Sequence, residues 1–206
     1  LKDGNWVGVF GAGELHNDEI EARMVGREIG HAIYPPRVTS IDTHQEVLQL
    51  RGIRVDGTLD STDLSLHRGE IMGIAGLKGS GGENLLSVIN GDVSASSGEM
   101  LLRGERYRPR RPSDAWKHRI AYMPGDRGRE GIIPDFSVRT NLSMSAIPHR
   151  GPFVDHAAET QLVQGLVSTL QIKTASAEAP CVSLSGGNLQ KVVLGKCLAP
   201  EPQILL

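Results

Sequence analysis

Four glycines fall within seven residues, at Gly76, Gly79, Gly81 and Gly82, between an apolar run over residues 70–75 and a second apolar set at Leu85, Leu86, Val88 and Ile89. The first run is short and continuous, as expected of a strand buried on both faces, and the second has helical spacing closed by Gly91. A strand that turns through glycines directly into a helix is the geometry of a phosphate-binding loop. Its backbone N–H groups wrap phosphate oxygens and a lysine reaches the outer ones. The pattern GxxxxGK[ST] holds here only at Gly76 and Gly81; Gly82 stands at the lysine position and Glu83 at that of the magnesium-binding hydroxyl. A carboxylate there faces the oxygens the loop should attract, and opposes phosphate unless a metal intervenes. Ser80 and Lys78 lie in the turn, and Lys78 is too far from the helix start to replace the missing lysine.

A second glycine edge lies at Leu184-Ser185-Gly186-Gly187-Asn188. Leu189, Val192, Val193 and Cys197 follow at helical spacing with Lys191 and Lys196 between them, so the glycines open a helix. Unpaired backbone N–H groups and the positive helix end then face outward, a place suited to a terminal phosphate.

The bulk numbers exclude more than they select. At 206 residues and 39% hydrophobic content the chain can bury a sizeable core, and a formal charge of -2 argues against a nucleic-acid binder held by bulk charge. Cys181 and Cys197 form neither a disulfide framework nor a metal pair and are expected to be reduced. The seven histidines are scattered without metal-ligand spacing. No apolar run approaches the roughly 18 residues of a bilayer span, so a soluble chain is expected.

Residues 2–8 read as a hairpin around Asp3-Gly4, and Asn17-Asp18-Glu19 opens a helix that ends near Gly26. The proline-broken, polar stretch over 34–45 is the expected linker between a tail at 1–33 and a domain at 46–206. In that domain, rough alternation from Val47 to Val55, continued by Leu64 and Leu66 after Asp56-Gly57, predicts an antiparallel edge sheet. Strands are expected again over 98–103 and 120–123, and a short helix at Pro112-Ser113-Asp114. From Phe136 the pattern turns helical, giving an insert over about 135–198 with Leu162, Val163, Leu166, Val167 and Leu170 on one face.

The order of these pieces, with Leu184-Ser185-Gly186-Gly187-Asn188 as signature motif, resembles an ABC-type ATPase. More specifically, residues 120–124, Asp126-Arg127, Arg129-Glu130-Gly131, Ser137-Val138-Arg139 and Asn141-Leu142 resemble the second half of the tandem ATPases that drive bacterial importers of ribose, galactose and xylose. Gln190-Lys191-Val192-Val193-Leu194 fits the same family, and Asp3-Gly4, residues 24–27 and Tyr34-Pro35 look like the tail of the first half. The resemblance implies an α/β P-loop NTPase of ABC type, with an antiparallel β edge subdomain and an α-helical insert. It also implies a chain cut at both ends, stopping before the Walker B aspartate.

It implies ATP and magnesium in the complete protein, bound between two halves. Ser185, Gly186, Gly187 and Asn188 would cap ATP held by the first half, and Gly76, Gly79, Ser80, Gly81 and Gly82 would form a degenerate second site. No catalytic set is complete in this chain. The implied partners are the first ATPase domain, membrane permease subunits and, indirectly, a sugar-binding protein, with no nucleic acid, at the cytoplasmic face of the membrane. Gly82, Gly125 in place of an acidic residue, and Leu189 in place of a glutamine depart from the family pattern. No aromatic residue before Gly76 is placed to stack on adenine. Two other readings stay open: a non-catalytic docking half, and a nucleic-acid binder suggested by Arg103, Arg106, Arg108, Arg110 and Arg111.

Overall fold

Alternation brings Leu48 and Leu50 of β1 (Asp42–Val55) to the buried side of a sheet, but Ile53, on the opposite parity, is buried too. A shift in the pairing register between Arg51 and Arg54 resolves this, because one extra residue turns the next inward side chain by a half period. Gly52 sits in the shift with φ of 58° and its N–H donates to the Asp63 carboxylate at 2.7 Å. The roughness of the alternation in sequence is therefore a bulge.

The computed structural model describes Trp6, residues 8–16, 19–20, 23, 42–77 and 79–206. Two compact units divide the chain, Leu1–Thr43 and His44–Leu206. In the first, Ile20 N–H donates to the His16 carbonyl in a helical turn, and the Arg23 guanidinium lies 4.6 Å from the Phe10 ring centroid. The hairpin expected over 2–8 and the linker expected over 34–45 fall largely outside the described residues.

In the second unit β2 (Leu59–Arg68), β1, β3 (Ser97–Leu102) and β4 (Glu105–Tyr107) form a sheet in the order β2-β1-β3-β4. β3 runs antiparallel to β1 with Leu50 opposite Met100, and to β4 with Met100 opposite Tyr107. Helices α1 (Gly82–Asn90) and α2 (Pro112–Lys117) add Leu85, Val88, Ile89 and Ala115 to the core of this sheet. The same core holds Ile120 and Ile204, from a parallel pair of β5 (Ile120–Ala121) and β8 (Ile204–Leu205). Backbone bonds from Met123 to Leu206 and from Gln203 to Arg119, each 2.8 Å, lengthen that pair.

A second core lies within the helical insert. Helices α3 (Val138–Ser143), α4 (His156–Thr169) and α5 (Gly186–Leu198) bury Val138, Leu142, Val163, Val192 and Val193 with Ile132, Ile172 and Cys181. Ser137 and Asp155 cap α3 and α4 by accepting first-turn N–H bonds. A two-stranded hairpin, β6 (His149–Arg150) with β7 (Phe153–Val154), interrupts the helices and has no counterpart in the sequence pattern. The architecture is the expected α/β one with an antiparallel edge sheet and a helical insert.

One expected element is corrected. Residues 70–75 do not form a buried strand: the segment over 70–77 has no regular secondary structure, and Ile71 is 99% exposed and Leu77 87%. A strand exists only through ladder bonds to a neighbour, and the described residues supply none here, since β5 pairs with β8 instead.

Gly98, opposite the bulge, has φ of 92°, and a Cβ there would collide with the Gly52 carbonyl oxygen. Gly98→Ala is expected to lower stability by about 2–4 kcal/mol, from the left-handed backbone and the clash together, read as a reduced urea midpoint with unchanged slope.

Candidate functional site

Helix α5 starts behind Ser185, whose backbone is extended (φ −64°, ψ 155°) and whose hydroxyl takes no capping bond from the first turn. That hydroxyl accepts instead from Asn188 Nδ2 at 3.0 Å, while Asn188 Oδ1 accepts from the Lys173 backbone N–H at 2.9 Å. One turn on, Lys191 Nζ donates to the Gln171 carbonyl at 2.8 Å. The two side chains staple the loop at 171–173 to the flank of the helix. The amides of Gly186, Gly187 and Asn188 keep no side-chain cap, and Ser185, Gly186 and Gly187 are exposed. A Cβ on Gly187 would meet nothing within 4 Å, so the space in front of these amides is open. The sum of their dipoles is about half a positive charge at this end of the helix.

The glycine-rich turn keeps its shape but not its usual chemistry. Ser80 N–H closes the turn on the Leu77 carbonyl at 2.9 Å, and Gly79 and Gly81 both have positive φ, 86° and 95°. Gly81 is the uncapped N-cap of α1, and a Cβ there would lie 2.6 Å from the Thr58 carbonyl oxygen, so only glycine fits. At Gly76 a Cβ would meet only the Ser80 side chain, whose hydroxyl can rotate away. Gly82 contributes an amide without a side-chain cation, and Glu83 stands exposed in the first turn. Gly79 and Gly81 keep the left-handed conformations expected of such a loop, whereas Gly82 and Glu83 offer neither the lysine nor the hydroxyl that magnesium-bound nucleotide needs. Lys78 lies outside the described residues. Among the described residues no cluster of three or more His, Cys, Asp or Glu could hold a metal ion.

These two glycine edges belong to different cores. α1 packs on β2 and α2, while α5 packs on α3 and on a single π-helical turn at Arg127–Gly131. Asp126 caps that turn by accepting from Gly128 and Arg129 N–H, both at 3.1 Å. Pro124 is buried and Gly125 exposed beside it. The far end of α5 grips this segment: Lys196 Nζ donates to the Gly131 carbonyl, and Cys197 Sγ lies 3.5 Å from the Tyr122 carbonyl. Ser145 Oγ donates to the Lys196 carbonyl at 2.6 Å. Burial, then the carboxylates of Asp92, Glu130 and Glu83, push the Tyr122 phenol above its ordinary range, so it stays protonated.

Asn141 organises the insert. Fully buried, it accepts from Ile133 N–H at 2.8 Å and its Nδ2 contacts the carbonyls of Ile133, Phe136 and Ser137 and the Cys181 sulfur. It thus ties the segment entering α3 to the turn that precedes Ser185. In sequence it stands out as part of the Asn141-Leu142 pair in the family resemblance, but nothing there announces its buried hydrogen bonds.

An ABC transporter family model matches residues 59–206. The chain belongs to the ABC transporter family. Its curated relatives include the ribose import ATP-binding protein RbsA of Bacillus cereus, 34% identical over 208 residues. That match covers 100% of this chain and 41% of the relative. A putative ribose/galactose/methyl galactoside import ATP-binding protein of Pseudomonas fluorescens is 35% identical, over 100% of this chain and 40% of its own length. This family member therefore spans about two fifths of the curated relatives it matches. Among solved structures, a nucleotide-free ATP-binding cassette from an ABC transporter superposes with a TM-score of 0.63 at 21% identity. It covers 78% of this chain and 68% of its own. The cbiO1 protein of Clostridium perfringens, part of the ABC transporter complex cbiONQ, gives 0.65 at 21%, covering 78% and 64%. Both share the fold. No helix among the described residues is long and apolar enough to cross a membrane.

Both cysteines are buried and free, and burial raises both thiols above their ordinary range. The thiolate is the reacting species, so a raised pKa and lost access act in the same direction. Iodoacetamide at pH 7.5 is expected to leave Cys181 and Cys197 unmodified in the folded chain and to alkylate both in denaturant, as read by mass spectrometry.

Proposed function

We propose that this chain is the second nucleotide-binding half of a sugar-import ABC transporter, and that its signature edge completes an ATP site whose other wall belongs to the first half. The observation that carries this reading is the open, uncapped start of α5, with the Ser185 hydroxyl beside it. Such an edge suits the outer oxygens of a phosphate presented from outside, and among the described residues no side chain caps it. The relatives' names support the sugar-import assignment, and their greater length supports a partner half.

Transfer of a phosphoryl group to water depends on position and charge neutralisation more than on covalent help from the protein. The amides of Gly186, Gly187 and Asn188, with Ser185 Oγ, would hold the terminal phosphate of ATP in line and stabilise charge on its oxygens. Asn188 would act mainly by fixing the Ser185 hydroxyl. Magnesium, bound with ATP on the first half, would supply further charge neutralisation. Closure over ATP and reopening after hydrolysis would move the permease through residues 124–127 and the insert, because α5 grips both. Docking to that permease would place the chain at the cytoplasmic face of the membrane.

A second reading, a docking half that binds no nucleotide at its own loop, is favoured by Glu83 standing exposed at the start of α1. Saturable ATP binding by this chain contradicts the docking reading, because a pure docking half binds none.

In the complete two-half protein, Ser185→Arg is expected to abolish sugar-stimulated ATP turnover by filling the space before the amides. Gly82→Ala is expected to change turnover less than about threefold, since that loop is not the working site. Full turnover in the Ser185 variant contradicts the composite site.

A further inference from the structure

The arginine-rich stretch takes no part in either glycine edge, yet it lines a cavity. β4 is an outer strand of the four-stranded sheet, and Arg106 and Arg108 flank its buried Tyr107. Beside it lies a cavity of about 410 Å³, with residues 94–99 on one wall and 106–110 on the other. Arg106, Arg108 and Arg110 line it together with Ser94 and Ser97.

Charge in the cavity is unbalanced. Its one carboxylate, Glu99, is already paired with Arg51 at 3.3 Å. Asp114, close by, accepts the Arg110 backbone N–H at 3.1 Å and faces Arg111 and Lys117 at 3.6 and 3.8 Å, so it is engaged elsewhere. Those contacts, the backbone bond first, hold its carboxyl below the usual range, and its ion pairs are with Arg111 and Lys117 rather than with the cavity guanidinium groups. Among the described residues Arg106, Arg108 and Arg110 have no acidic partner within ion-pair distance.

Both walls are set before any ligand arrives. Ser96 N–H donates to the Arg54 carbonyl at 2.8 Å, Ser96 Oγ accepts from Asp56 N–H at 3.0 Å, and Gly98 lies against Gly52. Opposite, the Tyr107 hydroxyl donates to the Ile89 carbonyl at 2.8 Å, and burial keeps that phenol protonated. Rigid walls reduce the ordering cost of binding. A volume of this order suits a small molecule rather than a polymer. Guanidinium forks match phosphate oxygens in pairs, where a carboxylate would leave the third arginine unanswered. Of the apolar lining residues, Ile53, Val88 and Met100 are buried and Val93 and Ala95 partly so, and none is a large exposed side chain of the kind that inserts into lipid.

We propose that this cavity is a binding site for a soluble anion carrying one or two phosphate groups, separate from both nucleotide edges. The assignment stands independently of the transporter reading. Isothermal titration of the whole 206-residue chain with inorganic pyrophosphate at low salt tests it. Saturable binding is expected, weakened at least about tenfold in Arg106→Gln/Arg108→Gln and by 0.3 M salt, and unchanged within about twofold in Ser80→Glu, which places a carboxylate in the glycine-rich turn. Circular dichroism checks the fold; should the double variant be unfolded, Arg106→Gln and Arg108→Gln are titrated singly, each with a several-fold loss expected. Absence of pyrophosphate binding, equal binding by the arginine variants, or an equal loss in Ser80→Glu overturns the site. Binding to phosphatidylglycerol vesicles but not to pyrophosphate overturns the soluble ligand.

Discussion

A helix cannot satisfy its own first N–H groups, and that constraint shapes the functional half of this protein. Of helices α1 to α5, two deal with it locally: Ser137 caps α3 and Asp155 caps α4, while α1 and α2 have no side-chain cap. α5 has none either, although a serine stands at the right position. Its hydroxyl is drawn to Asn188, and Asn188 is drawn to the backbone of Lys173. The edge is therefore left open by the arrangement of its neighbours, with two glycines that keep side chains out of the way.

The same helix is also the mechanical link between two cores. Its middle contributes Val192 and Val193 to the insert, and its end holds the 122–131 segment through Lys196 and Cys197 before the chain returns to β8 in the other core. Packed side chains and hydrogen bonds thus join this helix to Gly131 and Tyr122. Asn141 stiffens the near side, because moving it would strand several buried polar groups at once. The glycine-rich turn, in contrast, keeps only the backbone half of a phosphate site; Gly82 and Glu83 remove its cationic half.

Much of this was legible in sequence, for identifiable reasons. Periodicity marks β1, β2 and α5 because each buries one face, and the family resemblance follows from motifs whose residue types are dictated by phosphate geometry. The bulge at Gly52 showed only as an imperfect alternation, since parity changes are invisible without the partner strand. The apolar run at 70–75 reads as a buried strand, yet burial depends on neighbours, and the described residues put none beside it. The β6–β7 hairpin has two residues per strand, too few for any period to register. The staple made by Asn188 and the hub at Asn141 are tertiary facts: each depends on a loop distant in sequence that nothing local announces. The arginine stretch suggests a nucleic-acid binder in sequence, and only the fold shows that three of its arginines line a cavity with Ser94 and Ser97.

The central claim is that the amides of Gly186, Gly187 and Asn188 are satisfied by a phosphate carried on another domain. Hydrogen exchange at those amides, followed in the complete two-half protein and in this chain alone, with and without a non-hydrolysable ATP analogue, measures it directly. The account predicts protection of all three only when the other half and the analogue are both present. Protection in the isolated chain with analogue, or none in the complete protein, would contradict it.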